Sequence, residues 1–363
     1  VNEKFQNDDT VLLREVEKTL VARRQAGLEG LVGGLAAVVI NTAPEDLLPA
    51  AEELLLATRL RFEVAMNDPL SDDAGPCLLL RDGHGADFLL KSRAGDDNPF
   101  DLYNKGAKNQ GRQQARLETF LFTCRDLDRY VAIQKARGVI FATPSPLVTD
   151  AFSFIQTMPS IHTGNAVGLI EWKGRPGTYF HAGSQSLALS PLKAERLWQR
   201  QIRGLDHVAT RVRARQRDAA ILEFLSLTNY HFDFAVYVES LNSITNVARL
   251  SAGDYAQVFT SGIAAEAEDA GPTERFIANY GVRPHHLAFG VSDIEMVVAG
   301  LRAEGMHFLS DLVGSREEGL KQIFSVMSPQ TMLVKEYIER YDGFDGFFTK
   351  NNVTRLTLAT DRQ

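Results

Sequence analysis

"TFLFTCRDLDRYVAIQKARGVIF" (119–141) and "HLAFGVSDIEMVVAGLRAEGMHF" (286–308) are the stretches whose reading decides the fold. Laid one on the other, Phe122 falls on Phe289, Asp126 on Asp293, Leu127 on Ile294 and Ala132 on Ala299. Gly138 then meets Gly305, and Phe141 meets Phe308. Each copy reads as strand, helix, glycine stop, strand. In the second copy Ser292 and Glu295 predict a capping box at the helix start. Ile294, Val297, Val298 and Leu301 recur at helical spacing, and Gly305 suits a left-handed stop.

Working outward, the plan recurs twice more. "GLAAVVINTAPEDLLPAAEELLLATRLRFEV" (34–64) and "GLDHVATRVRARQRDAAILEFLSLTNYHFDF" (204–234) are again strand, helix, strand. Short alternating strands follow every copy, so the chain predicts four βαβββ units. They pair into two halves, 31–190 and 195–363, after an N-terminal helix within 1–30. A polar link, 98–116, joins the first two units. One unit cannot bury both faces of a curled sheet, whereas two side by side form a half-open barrel with helices outside and a hollow inside. The expected class is α+β, and the repeat resembles the vicinal oxygen chelate (glyoxalase-like) superfamily, a fold that does not by itself name a reaction.

Composition narrows the partners. The net charge is −7, from 39 Lys+Arg against 46 Asp+Glu, with no dense basic stripe, which argues against nucleic acid. No stretch approaches the roughly 20 apolar residues of a membrane span, and the charged start lacks a signal-peptide pattern. Cys77 and Cys124 lie in apolar runs without CxxC spacing, so neither a disulfide framework nor a zinc-thiolate site is expected. A cytoplasmic setting follows as the default.

Strand alternation selects candidate ligands. In "VRPHHLAFGV" (282–291), Leu287, Phe289 and Val291 share the helix-packed face, while His286 shares the other with Ala288 and Gly290. His285 is expected on the helix-packed face. His207 lies with Leu205 and Ala209 in "GLDHVAT". Glu336 lies with Val334 and Ile338 in "TMLVKEYIER", a carboxylate on an apolar face where an unpaired charge is costly. Two imidazoles and a carboxylate directed into one cavity suit a facial-triad Fe(II) centre with open positions. The first half offers Ala37 and Thr119 at the histidine positions, with a carboxylate counterpart near Glu171. His84, His162, His181, His231 and His307 have no such support and read as structural or solvent-facing.

The second half resembles the 4-hydroxyphenylpyruvate dioxygenase family. The resemblance rests on "GLDHVA", "ESLNS" (239–243), "ERFIANYGVRPHHLAF" (274–289), "QIF" (322–324), "EYIER" (336–340) and the tail "GFFTKNNVTRL" (346–356). It covers nearly all of the C-terminal half; the N-terminal half matches in architecture only. The resemblance implies iron ligands at His207, His286 and Glu336. It implies a substrate pocket at Ser243, Gln322, Phe324 and Asn352, with Val353 where the family has a stacking phenylalanine. His285 stands where the family has glutamine, which makes it a candidate neighbour of the metal or substrate. The family's "PLNEP"-type strand end is absent, with "QVFTSG" (257–262) in its place, and a tyrosine-containing insertion is missing. These departures fall on the pocket rather than on the metal positions.

The implied activity is oxidative decarboxylation of a 2-oxo acid by Fe(II) and dioxygen, with hydroxylation of the same molecule. Gln322 and Ser243 are then expected to hydrogen-bond the substrate and Phe324 to pack on it, and Val353 admits an aliphatic acid. Aromatic amino acid catabolism and a homo-oligomer are family expectations. Two other readings stay open: an extradiol catechol dioxygenase, and a non-catalytic ligand-binding protein of the same fold.

Overall fold

The computed structural model describes residues 5–71, 75–83, 85–93, 97–109, 111–112, 114–193, 195–265, 270–344 and 346–362; His84 lies outside them. Helix α1 (Asp9–Gln25) starts on Asp8, whose side chain accepts from Thr10 N at 2.8 Å. The first unit runs β1 (Val32–Asn41), α2 (Leu47–Ala57), β2 (Arg61–Asn67), β3 (Pro76–Arg81), β4 (Asp87–Lys91). The second runs β5 (Arg116–Cys124), α3 (Leu127–Ala136), β6 (Leu147–Val148), β7 (Phe152–Gln156), β8 (Ala166–Trp172). The third runs β9 (Ile202–Arg211), α4 (Arg217–Leu227), β10 (His231–Val238), β11 (Ser243–Arg249), β12 (Ala256–Ser261). After α5 (Pro272–Tyr280), the fourth runs β13 (Arg283–Val291), α6 (Ile294–Ala303), β14 (Val313–Ser315), β15 (Leu320–Phe324), β16 (Val334–Arg340). Helix α7 (Lys350–Ala359) follows.

These strands form two eight-stranded sheets of identical order, β2-β3-β4-β1-β5-β8-β7-β6 and β10-β11-β12-β9-β13-β16-β15-β14. The two long strands at the centre of each sheet are antiparallel, and each is flanked by a parallel neighbour. The strand expected directly after α3 and α6 shrinks to a bridge, Phe141 with Thr157 and Phe308 with Ser325. Gly138 and Gly305 stop those helices at φ +86° and +88°, a conformation that costs glycine little. The predicted capping box is replaced by a simpler cap: Asp293 accepts from Met296 N at 2.9 Å, and Asp126 from Arg129 N at 3.0 Å. Glu295 instead pairs with Lys321.

Packing explains why the halves stay together. Ile294, Val297, Val298 and Leu301 of α6 are all buried, each worth about 1.5–3 kcal/mol. They join one apolar core that runs through both halves, with Phe88 stacked on Phe289 at 6.2 Å. Polar contacts cross the same junction in matched pairs. Arg116 Nη2 donates to Val282 O at 3.0 Å, and Arg283 Nη2 donates to Ala115 O. Tyr130 Oη donates to Leu227 O at 2.7 Å, and Tyr337 Oη to Ala57 O at 2.8 Å. Helix α1 ties on through Arg23, whose Nη1 donates to the carbonyls of Leu225, Thr228 and Tyr230 at the end of α4. That charge and those donors suit a helix C-terminus.

Candidate metal centre

Two β-bulges shape the site. Between β9 and β13, Ala288 pairs with His207 but Phe289 with Leu205, leaving Asp206 as an extra residue on β9. Pro284 pairs with Thr210 but His286 with Ala209, leaving His285 as an extra residue on β13. A bulge breaks the strict alternation of a strand. Two expectations change as a result. Leu205 packs on the helix-side core rather than beside His207, and His285 lines the same cavity as His286 instead of the helix-packed face.

The three candidate ligands converge. One ligand atom from each of His207, His286 and Glu336 lies within 4.8 Å of the others, and all three residues are buried. Glu336 Oε2 is 3.1 Å from His207 Nε2 and 3.2 Å from His286 Nε2. The Glu336 contact does not give His207 Nε2 a hydrogen bond, and it has no other partner among the described residues. A buried imidazole nitrogen left this way is costly, and a cation between the three atoms would satisfy it.

The surroundings prepare each ligand. Asp206 Oδ1 lies 2.8 Å from His207 Nδ1, and Arg340 donates to both Asp206 oxygens at 2.6 and 3.1 Å. Carboxylates in this position fix the imidazole tautomer and leave Nε2 as the ligand atom. Burial alone would raise the Asp206 carboxyl, but His207 and Arg340 outweigh it and hold it below the usual range. Burial likewise pulls His207 down, and Glu336 and Asp206 more than reverse that. Burial and the neighbouring His285, His207 and Arg211 push His286 well down, toward the neutral form a ligand needs. His285 Nδ1 and His286 Nδ1 are 2.8 Å apart, so one ring donates to the other and the His286 Nε2 edge faces Glu336. Gln322 Nε2 donates to Glu336 Oε1 at 2.5 Å, leaving Oε2 turned to the histidines.

The substrate candidates divide into two groups. Ser243, Gln322, Phe324 and Val353 line the cavity with His285, His286 and Glu336. Asn352 stands behind that wall, fully buried, donating to Gln322 Oε1 at 3.0 Å. Both ends of the Gln322 amide therefore contact protein. Phe324 packs on the His286 ring at 4.8 Å. The cavity is about 50 Å³, far below the ~300 Å³ or more of an ordinary ligand pocket. Phe348 and the α7 residues Val353, Leu356 and Thr357 cover it.

Sequence reasoning missed Asp206, Arg340, Arg211 and the pair Phe347 and Phe348. Those phenylalanines hold the His207 ring at 5.3 and 5.2 Å. The adjacent "DH" at 206–207 was a signal in plain view. His162, His181, His231 and His307 join no comparable group; among the described residues the His207–His286–Glu336 cluster stands alone. Cys77 and Cys124 are buried and free. No described helix is long and apolar enough to cross a membrane.

Comparison with known proteins sets this geometry in context. No family model matches the chain, and no curated protein does at the sequence level. Solved structures do. A triple mutant of 4-hydroxymandelate synthase from Streptomyces coelicolor superposes with TM-score 0.66 at 18% identity, covering 92% of this chain and 99% of that one. The fold is the vicinal oxygen chelate fold. A fusion of a xylose isomerase-like TIM barrel with 4-hydroxyphenylpyruvate dioxygenase gives 0.61 at 15%, over 96% of this chain and 57% of that one. A halotolerant catechol dioxygenase, BphC, gives 0.51 at 12%, over 87% and 90%. At these identities the likeness speaks for the fold.

Proposed function

We propose that this chain is a non-haem Fe(II)-dependent dioxygenase that oxidatively decarboxylates a 2-oxo acid and hydroxylates the same molecule. The observation that carries the reading is the convergence of His207, His286 and Glu336 on one point, with Glu336 Oε2 3.1 and 3.2 Å from the two ring nitrogens. Two imidazoles and one carboxylate leave open positions on a bound iron. The resemblance of the C-terminal motifs to the 4-hydroxyphenylpyruvate dioxygenase family supports it, as does the fold shared with two dioxygenase-type structures. Residues 195–363 are the catalytic half on this reading, and 31–190 the half without a metal. The partners are a small oxo acid and dioxygen.

Fe(II), when bound by these three residues, supplies the redox chemistry and an anchor for the acid's carboxylate and keto oxygens. The chain does the rest. Asp206 and Arg340 keep His207 in the ligating tautomer, and His285 does the same for His286. Gln322 and Asn352 fix the Glu336 carboxylate in rotation. Phe324, Phe348, Val353 and Leu356 make a dry wall that keeps water from the reacting atoms.

The test is anaerobic. Fe(II)-loaded protein is titrated with 2-oxo acids, 4-hydroxyphenylpyruvate included, while the visible spectrum is recorded. A weak charge-transfer band with an oxo acid is expected. Iron-loaded protein that shows no band with any oxo acid, and takes up oxygen with catechols instead, would overturn the reading.

A further inference from the structure

The cavity wall carries a cation that is not among the candidate metal ligands. Arg211 lines the same cavity as His286 and Glu336 and is only 4% exposed. It follows His207 by four residues on β9, and the pairing with β12 runs unbroken from His207 to Arg211. Alternation therefore sends both side chains to the same side, with Cα atoms about 13 Å apart at ~3.3 Å per residue. The guanidinium is held in place. Nη1 donates to Pro272 O at 3.1 Å, Nη2 to Thr360 Oγ1 at 2.8 Å, and the group lies over the Phe276 ring at 4.4 Å.

No carboxylate of the described residues forms an ion pair with it. Asp361, the acid whose charge it feels, is engaged by Arg275 at 2.6 Å. Burial pulls Arg211 down to about 9, and Asp361 opposes this only in part. The other deeply buried arginines have structural accounts. Arg217 pairs with Asp9, Arg23 with Glu29, and Arg116 and Arg283 bridge the two halves. Arg211 alone of these five borders the cavity at the metal ligands. The hydroxyls of Ser243, Thr245 and Thr273 share its wall. A fixed, buried guanidinium on a residue that borders such a space suits an anion, and carboxylate is the anion it matches bidentately.

Resting on the dioxygenase reading, we propose that the substrate is a 2-oxo acid bearing a second carboxylate. Its oxo-acid end sits at His207, His286 and Glu336, and its far carboxylate sits on Arg211. A separation of four strand positions between the two anchors calls for an extended aliphatic diacid rather than a short one. Val353 at the wall offers no ring to stack an aromatic group. An uncharged far end would enter beside Arg211 without pairing it, so discrimination comes from the unmatched buried charge.

The experiment compares 2-oxoadipate with 2-oxohexanoate, which have the same chain length and differ in the far carboxylate. Binding to the Fe(II)-loaded full chain is followed anaerobically by calorimetry and, separately, by the charge-transfer band. Wild type is expected to bind the diacid at least about tenfold tighter. Arg211→Gln should bring the two acids within about twofold while holding 2-oxohexanoate within about threefold, and Arg211→Lys should restore part of the preference. Equal affinities in wild type overturn the proposal. So does an Arg211→Gln protein, folded by its melting curve, that weakens both acids by the same factor. The wild-type comparison decides even if the variant does not fold. A calorimetric preference for the diacid with no band would sink the iron-chelation reading and keep the Arg211 site; a band with both acids at equal affinity would do the reverse.

Discussion

On β1 the extra residue of the bulge is Ala36, and on β9 it is Asp206; on β5 it is Glu118, and on β13 it is His285. The backbone irregularities are thus a property of both sheets, and only the side chains on them differ. At the candidate ligand positions the first sheet has Ala37, Thr119 and Gly168 where the second has His207, His286 and Glu336. Thr119 Oγ1 hydrogen-bonds Gln156 at 2.9 Å, at the strand position that Phe324 takes in the other half. The first interior is filled, with Trp172 edge-on to Phe152 at 6.0 Å and to Tyr179 at 5.1 Å. One backbone plan therefore serves as a packed core in one half and a candidate reaction chamber in the other. The bulges supply the second residue beside each ligand wherever chemistry later needs it.

The contrast is sharpened most by Glu336→Ala. Iron content should fall from about one per chain to below about a tenth, and turnover by about a thousandfold or more, since a two-histidine remnant holds Fe(II) poorly. Metal analysis and oxygen uptake check this; full iron and activity would erase the distinction between the halves. Asp206→Asn comes next, with an expected loss of about 10–100-fold in Fe(II) affinity. A competition titration reads it, and unchanged affinity would reduce the β9 bulge to architecture.

Converting the first half should fail. A Cβ at Gly168 would meet Leu121 Cδ1 at 2.9 Å, Thr119 Cγ2 at 3.0 Å and Phe154 Cε2 at 3.2 Å. Ala37→His, Thr119→His and Gly168→Glu together should cost at least about 1–3 kcal/mol through overpacking and bind no second iron. A stable graft with two irons per chain would show that the interiors are interchangeable. The smallest effect is shared. Tyr130→Phe and Tyr337→Phe each remove one hydrogen bond across the junction, at about 1 kcal/mol apiece by urea unfolding. A large inequality between them would mean that the two sides of the junction are not energetically alike.

The duplicated architecture was legible because apolar periodicity and the paired glycines recur across both halves. The faces of His207, His286 and Glu336 were legible because small and apolar neighbours alternate with them. What escaped was whatever depended on a bulge. Two extra residues, one on each central strand, turned His285 into the cavity, moved Leu205 out of it and placed Asp206 against its own neighbour's ring. Strict alternation assigns each of these wrongly. The carboxylate expected near Glu171 as the partner of Glu336 fell to another cause. Glu171 caps α3, accepting from Leu127 N at 2.7 Å, and its true counterpart is Glu339, which accepts from Ile294 N at 2.8 Å on α6. Gly168 holds the ligand's place, and a glycine carries no side chain to signal it. Arg211 was hidden among the charges of "RVRARQR" (211–217), where only the strand's end separates an inward arginine from solvated ones.

Arg116 and Arg283 lie at the start of corresponding strands, each reaching a carbonyl of the opposite half. Excising either half would therefore break both bonds. Cut apart, each would present a wet arginine and an orphaned carbonyl on a large greasy surface. The first half forms part of the second half's apolar backing. Its interior packs on itself, while its outward seam is tied to the register of its twin.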